Sequence, residues 1–257
     1  MSEPPEAFAR ATSAIAAEVA ARAPLLVDGP EGMFAVVDDR WPNSHDSNKV
    51  VITRPVHPEE LLAFTESSLG EAGVAHRQVL VLAGGESVLQ FAREAGYSVS
   101  TLLVMALPAG FRADGPEPAV DVHAVDESTI REVVRTAWEK GNPEMSADTV
   151  NQLVARRDAY VARVTAFAAY AGDVPVGHAD LRSWDGIAEV DSVVTLPEYR
   201  NRGYGRALVL SAVATAREDG ADLVFLQADA DDWPRELYAR LGFETVGTIH
   251  ELHRPGA

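Results

Sequence analysis

The stretch from Val193 to Leu208 constrains this chain more than any other: an apolar run, Val193-Val194-Thr195-Leu196, breaks at Pro197 into a basic turn punctuated by glycine, then opens into a helical run. β-Branched residues suit a strand, and proline cannot continue its hydrogen-bond ladder. Gly203 and Gly205 remove the side chains that would hold an anion away from the backbone, so successive N–H groups converge where the helix begins. The helix dipole adds partial positive charge there, and Arg200, Arg202 and Arg206 bring full charges. The stretch reads as a pyrophosphate cradle; the alternative is an ordinary strand-to-helix connection whose arginines are surface charge beside Glu198. No Gly-Lys-Ser/Thr follows, so it is not a nucleotide P-loop, and its spacing is not the dinucleotide G-x-G-x-x-G.

Arg200-x-x-Gly203-x-Gly205, with its lead-in Leu-Pro-Glu-Tyr, resembles the Q/R-x-x-G-x-G/A signature of the GNAT superfamily of acyl-CoA-dependent N-acyltransferases. Downstream, Leu237-Tyr238-Ala239-Arg240-Leu241-Gly242-Phe243 resembles the family's second signature, L-Y-x-x-x-G-F, and the likeness extends over roughly residues 119 to 255. The resemblance implies an α/β fold with a mixed, mostly antiparallel sheet that binds acyl-CoA, with acetyl-CoA as co-substrate. By position, it places the pyrophosphate on Arg200, Asn201, Arg202, Gly203, Tyr204, Gly205 and Arg206, and pairs the main chain of Val193, Val194 and Thr195 with pantetheine. It makes Glu189 the general base and Tyr238 the general acid, its hydroxyl directed at the departing sulfur. Asp231 stands where the family often has an asparagine; it either contacts a pantetheine donor or belongs to an acidic run preceding a helix.

An alkylammonium acceptor has a pKa near about 10, so a base must deprotonate it at neutral pH. Period-two alternation puts residues 189, 191 and 193 on one face of a strand, which makes Asp191 a second candidate for base or ammonium ligand. Both carboxylates also read as exposed residues at a sheet edge, and Tyr238 also reads as a ring packed between helix and sheet. Burial of one carboxylate beside the other would raise its pKa toward the useful range. Trp138, Glu139 and Glu144 are candidates for an aromatic, acidic acceptor pocket, although the two glutamates read first as exposed surface residues. His178, in a strand after Gly177, is expected to be a hydrogen-bonded strand residue rather than a contact of the acceptor.

The chain has 257 residues, room for two units. Pro108 to Pro118, rich in proline and glycine, marks a boundary, giving a smaller GNAT-like α/β unit over residues 1–112 and a catalytic unit over 113–257. In the first unit, strands are expected at 49–53, 78–82 and 99–107, with helices at 58–69 and 86–95, after an amphipathic helix from Pro4 to Ala23. Phe91 to Tyr97 faintly repeats Leu237 to Phe243, with Ala92 in the place of Tyr238, yet no R-x-x-G-x-G precedes it; the first unit is expected to bind no acyl-CoA. A net charge of -17 argues against nucleic acid and anionic membranes as partners, and the absence of cysteine excludes a thiol nucleophile. No metal-ligand spacing, signal peptide or membrane span is visible, so the reading is a cytoplasmic monomer acting on a small-molecule or protein amine. The competing reading is a non-catalytic acyl-CoA-binding sensor or scaffold.

Overall fold

A computed structural model describes residues 5–108, 110–111, 120–160 and 162–256. The expected boundary at 112/113 lies outside the described residues, as does most of the Pro108–Pro118 linker.

The first half runs α1 (Glu6–Arg22), β1 (Leu25–Asp28), β2 (Met33–Val37), β3 (Lys49–Ile52), α2 (Pro58–Glu71), β4 (Arg77–Val81), α3 (Glu86–Glu94) and β5 (Ser98–Ala106). The second runs β6 (Asp121–Val125), α4 (Glu127–Gly141), α5 (Ala147–Ala155), β7 (Arg163–Ala171), β8 (Val174–Trp184), β9 (Ile187–Thr195), α6 (Tyr204–Glu218), β10 (Leu223–Asp229), α7 (Pro234–Arg240) and β11 (Glu244–Arg254). A single 3-10 turn, Arg156–Ala159, follows α5, and another, Pro197–Tyr199, precedes α6.

All eleven strands form one mixed sheet in the order β1-β2-β3-β4-β11-β5-β10-β9-β8-β7-β6. Two pairs are parallel, β3 with β4 and β9 with β10, and each encloses a helix, α2 or α6; the others are antiparallel. Each half thus repeats β–α–β–α–β, and the last strands are exchanged. The final strand of the chain, β11, pairs with β4 of the first half, while β5 pairs with β10 of the second; β5 and β11 pair antiparallel at the centre. Neither half therefore completes its sheet with its own last strand.

The ends of α3 and α7 also match. Gly96 N donates to Arg93 O at 3.0 Å and Tyr97 N to Ala92 O at 3.0 Å, as Gly242 N does to Ala239 O at 3.0 Å and Phe243 N to Tyr238 O at 3.1 Å. Gly96 and Gly242 adopt φ of 84° and 91°, the left-handed C-terminal turn that glycine takes without strain. The sequence alignment of Ala92 with Tyr238 is therefore a structural equivalence.

Apolar residues sort onto two sheet faces. On one, Leu208, Val209, Ala212, Val213 and Ala216 of α6 fall at helical spacing and pack on Val190, Val224 and Leu226. On the other, Ala11, Ile15 and Val19 of α1 cover Val36, Val51, Leu80, Val104 and Phe225, a core drawn from both halves.

Candidate functional site

β9 and β10 are paired only through Leu223↔Ile187, Val224↔Ala188 and Phe225↔Glu189, while β9 runs on to Thr195. Beyond Glu189 the strands separate, opening a wedge whose β9 wall is main chain. Ser192 has φ 53°, and the register with β8 shifts between His178 and Asp180, so one extra β9 residue bulges out. The bulge corrects the expected alternation. Glu189 and Asp191 share a face, but Val193 is carried to the opposite one, where it packs with the α6 core.

Gly203, at φ 91°, is the N-cap of α6; Asn201, at φ 60°, also turns left-handed. No acidic residue occupies the first turn of α6, and its first N–H groups have no preceding turn to accept from them. A Cβ at Gly205 would make only ordinary contacts, with Leu237 and Thr195 both at 3.8 Å, so packing does not demand glycine there. At Gly177, by contrast, a Cβ would lie 2.7 Å from the Val194 carbonyl oxygen, so close approach of β8 to the bulged strand requires glycine.

Glu198 does not neutralise the arginines, for it pairs with Lys140 at 2.5 Å. Arg200 Nε donates to the Thr195 carbonyl at 3.2 Å, and the Arg202 guanidinium lies over the Tyr199 ring at 5.6 Å.

The wedge and the helix N-terminus belong to one cleft of about 390 Å³. It is lined by Val193, Val194, Thr195, Arg200, Asn201, Gly203, Tyr204, Gly205 and Arg206, and by Tyr238 across from them. Arg202 is the one proposed cofactor residue that does not line it. Tyr199, Trp233, Leu237 and Arg240 also do; sequence reasoning did not single them out as ligand contacts, although Leu237 and Arg240 flank Tyr238 on its own helix. Tyr238 is buried against Phe243, and burial, with the charges of Asp191 and Asp232, pushes its hydroxyl up to about 12, so it is protonated at neutral pH.

Glu189 lies outside this cleft, in a second cavity of about 260 Å³ beneath α1. It is 1% exposed, which rules out an edge carboxylate. Gln227 Nε2 donates to it at 2.6 Å and Arg182 Nη1 at 3.4 Å. Burial raises its pKa to about 7, with Asp191 adding to the rise and Arg182 and Gln227 opposing it. Asp191 is held below its usual range by Arg182 and by Ser192, whose Oγ donates to it at 3.1 Å, against the effect of burial. The two carboxylates thus titrate apart, with Glu189 suited to accept a proton near neutrality.

A third cavity, of about 250 Å³, lies between α4, α5 and the bulge and is lined by Trp138, Asn142, Arg157, His178, Ser192 and Val194 among others. Ser192 also lines the Glu189 cavity and Val194 the large cleft, so this third cavity shares one wall residue with each of the other two. Glu139 and Glu144 are exposed and line none of them, in keeping with their reading as surface residues. His178 departs from expectation: burial lowers its pKa to about 4, and its Nδ1 has no hydrogen-bond partner among the described residues. Arg157 anchors this wall, with two bonds of 2.7 Å to Asp180 and two, of 2.5 and 3.0 Å, to Glu127.

Asp231 does not line the cleft, and its N–H donates to Asp229 Oδ1 at 2.8 Å. Neither the Asp231 nor the Asp232 side chain caps α7; Asp232 accepts from Trp233 N at 2.7 Å instead. Among the described residues no group of three or more His, Cys, Asp or Glu could hold a metal ion, and no helix is long and apolar enough to cross a membrane.

Residues 128–243 match the model of the Acetyltransferase (GNAT) family. The chain is similar in structure to a GCN5-related N-acetyltransferase from Kribbella flavida, with 21% identity and a TM-score of 0.70 over 97% of this chain and 96% of that one. It is equally similar to a functionally unknown conserved protein from Staphylococcus epidermidis, with 16% identity and a TM-score of 0.71 over 91% and 94% of the two chains. A tandem GNAT protein from the clavulanic acid biosynthesis pathway aligns with 16% identity and a TM-score of 0.56 over 88% of this chain and 78% of that one. No curated protein matches the chain in sequence.

Proposed function

Residues 128–243 are a GNAT acetyltransferase domain, and from that premise we propose that the protein moves an acetyl group from acetyl-CoA to a primary amine. The observation that carries the reading is the cleft that runs from the N-terminus of α6, along the end of β9 left without a β10 partner, to a buried tyrosine, with a carboxylate poised near neutral pH in a second cavity.

In this reading the N–H groups at Gly203–Arg206, with Arg200 and Arg206, hold the pyrophosphate. Asn201 and Tyr204 line the same turn, while Arg202 contributes long-range charge. The main chain of Val193, Val194 and Thr195, which has no partner in β10, pairs with the pantetheine amides as an added strand would. The cleft suits this occupant, since Gly205 leaves open the space that a Cβ would fill although the fold does not need glycine there.

The amine nitrogen bonds to the thioester carbonyl carbon and the carbon–sulfur bond breaks. An ammonium that becomes an amide loses two protons in all. Glu189 takes one directly or through water, and the other ends on the departing sulfur, supplied by Tyr238. The first half contributes no acyl-CoA site in this reading, and the chain is a tandem form with one working copy.

The test is thiol release from acetyl-CoA with a panel of amines, comparing the wild type with Glu189→Gln and Tyr238→Phe. Amine-dependent release that both variants impair, while still binding acetyl-CoA, supports the assignment. Release unaffected by either substitution removes these two residues from the mechanism; acetyl-CoA binding without release to any amine favours a sensor.

A further inference from the structure

The cavity that holds Glu189 is walled by both halves and lined by charged residues of both signs. Arg22 at the end of α1, Lys49 at the start of β3 and Arg156 just after α5 all turn to one carboxylate, Asp46, at 2.7, 2.5 and 2.5 Å. An arginine brings about five N–H donors and a lysine about three, so one carboxylate leaves this group with donors and positive charge in excess. Arg156 Nε is buried without a hydrogen-bond partner among the described residues, and Lys49 is 4% exposed.

Glu189 lines the same cavity from β9, and Glu251 from β11. The Glu251 carboxylate has no hydrogen-bond partner among the described residues, and its pKa is raised by burial although Lys49 opposes the rise. Asp191 is engaged by Arg182 and Ser192, and Glu18, which also lines the cavity, accepts from Ala162 N at 2.9 Å; Glu189, beside Gln227 and Arg182, and Glu251 are the other carboxylates of the cavity besides Asp46. The charge of Asp46 acts on both of them.

Resting on the acetyl-transfer reading above, we propose that the acceptor is a small amine that also carries an anionic group, a carboxylate or a phosphate, with its ammonium between Glu189 and Glu251 and its anion at Arg22, Lys49 and Arg156. A cavity of about 150 Å³ holds benzene, so the 260 Å³ here suits a molecule of amino-acid size. A polyamine would set its second cation against three like charges. The first half thus has a task without a cofactor site of its own: it supplies Arg22, Asp46 and Lys49 to the acceptor.

The test is direct calorimetric titration of the full chain, with and without CoA, using 4-aminobutyrate against butylamine, phosphoethanolamine against ethanolamine, and putrescine. Lys49→Gln and Arg22→Gln are compared with the wild type, with melting temperature and acetyl-CoA affinity as checks of folding. The expected result is that an anion-bearing amine binds about tenfold or more tightly than its neutral counterpart, and that either substitution weakens it about tenfold while acetyl-CoA affinity holds. The carboxylate and phosphate pairs decide which anion is preferred. Equal or tighter binding of butylamine, ethanolamine or putrescine, or no binding of either anion-bearing amine, overturns the proposal. Because amine binding is read without turnover, its failure is distinct from a failure to bind acetyl-CoA, which would strike the acetyl-transfer reading instead.

Discussion

Two strand–turn–helix units in this chain have the same topology and opposite chemistry. In the second half, β9 outruns its pairing with β10 and bulges at Ser192 before the turn to α6. In the first, β3 ends where its pairing ends, at Ile52↔Val81, and the Ile52 carbonyl even accepts from Leu82 N at 2.9 Å, so no wedge opens. The helices differ in the same sense. α6 begins at Gly203 with no acidic residue in its first turn, whereas α2 begins with Pro58, Glu59 and Glu60, which remove a donor and add negative charge where an anion would sit. The one cation in the first-half turn, Arg54, is engaged by Glu31 at 2.5 Å. A shared fold therefore guarantees no site; strand separation, backbone donors and local charge have to coincide.

The largest expected effect of breaking the second unit is catalytic: Glu189→Gln should lower kcat by about a hundredfold to ten-thousandfold. In the wild type kcat/KM should rise through a midpoint of about 7, and this rise should vanish in the variant. The same group sets a stability trend. Its folded pKa lies above the unfolded value of 4.5, so the folded chain holds the proton more tightly and stability falls as pH rises from there through about 7; thermal melts of Glu189→Gln should lack that fall.

Gly205→Glu should weaken acetyl-CoA binding about a hundredfold, because it puts a bulky anion among the backbone donors without straining the fold, a contrast visible in parallel titration and melting experiments. Tyr238→Phe should lower kcat about tenfold with a smaller effect on KM for acetyl-CoA, read from steady-state thiol release. Gly203→Ala forces an alanine to φ 91° and should cost about 1–2 kcal/mol in denaturant unfolding. The smallest effect belongs to the first half: Glu59→Gln with Glu60→Gln should change stability by about 0.5 kcal/mol or less and create no second acyl-CoA site, since the wedge is still missing.

The second half was legible because the family's two signatures consist of residue types that announce themselves. The glycine turn, the strand before it and Tyr238 stand where the sequence placed them. The bulge was not legible: Ser192 carries no side-chain signal for φ 53°, so alternation put Val193 on the wrong face. The β1–β2 hairpin was passed over although Leu25–Asp28 and Met33–Val37 flank a Gly-Pro turn; both strands are short, and β1 is an exposed edge. Strand exchange had no local signal either, because β5 and β11 are apolar runs that suit either neighbour. The charged cavity stayed hidden for the same reason, since Arg22, Asp46 and Lys49 meet Glu189 only through tertiary packing.

One measurement tests the asymmetry of the halves most directly: calorimetric titration of the intact chain with acetyl-CoA, repeated on the Gly203→Glu, Gly205→Glu double variant after its fold has been verified by circular dichroism. The account predicts a single site per chain that is lost in the folded variant. Two sites per chain, or binding that survives the double substitution, would contradict it.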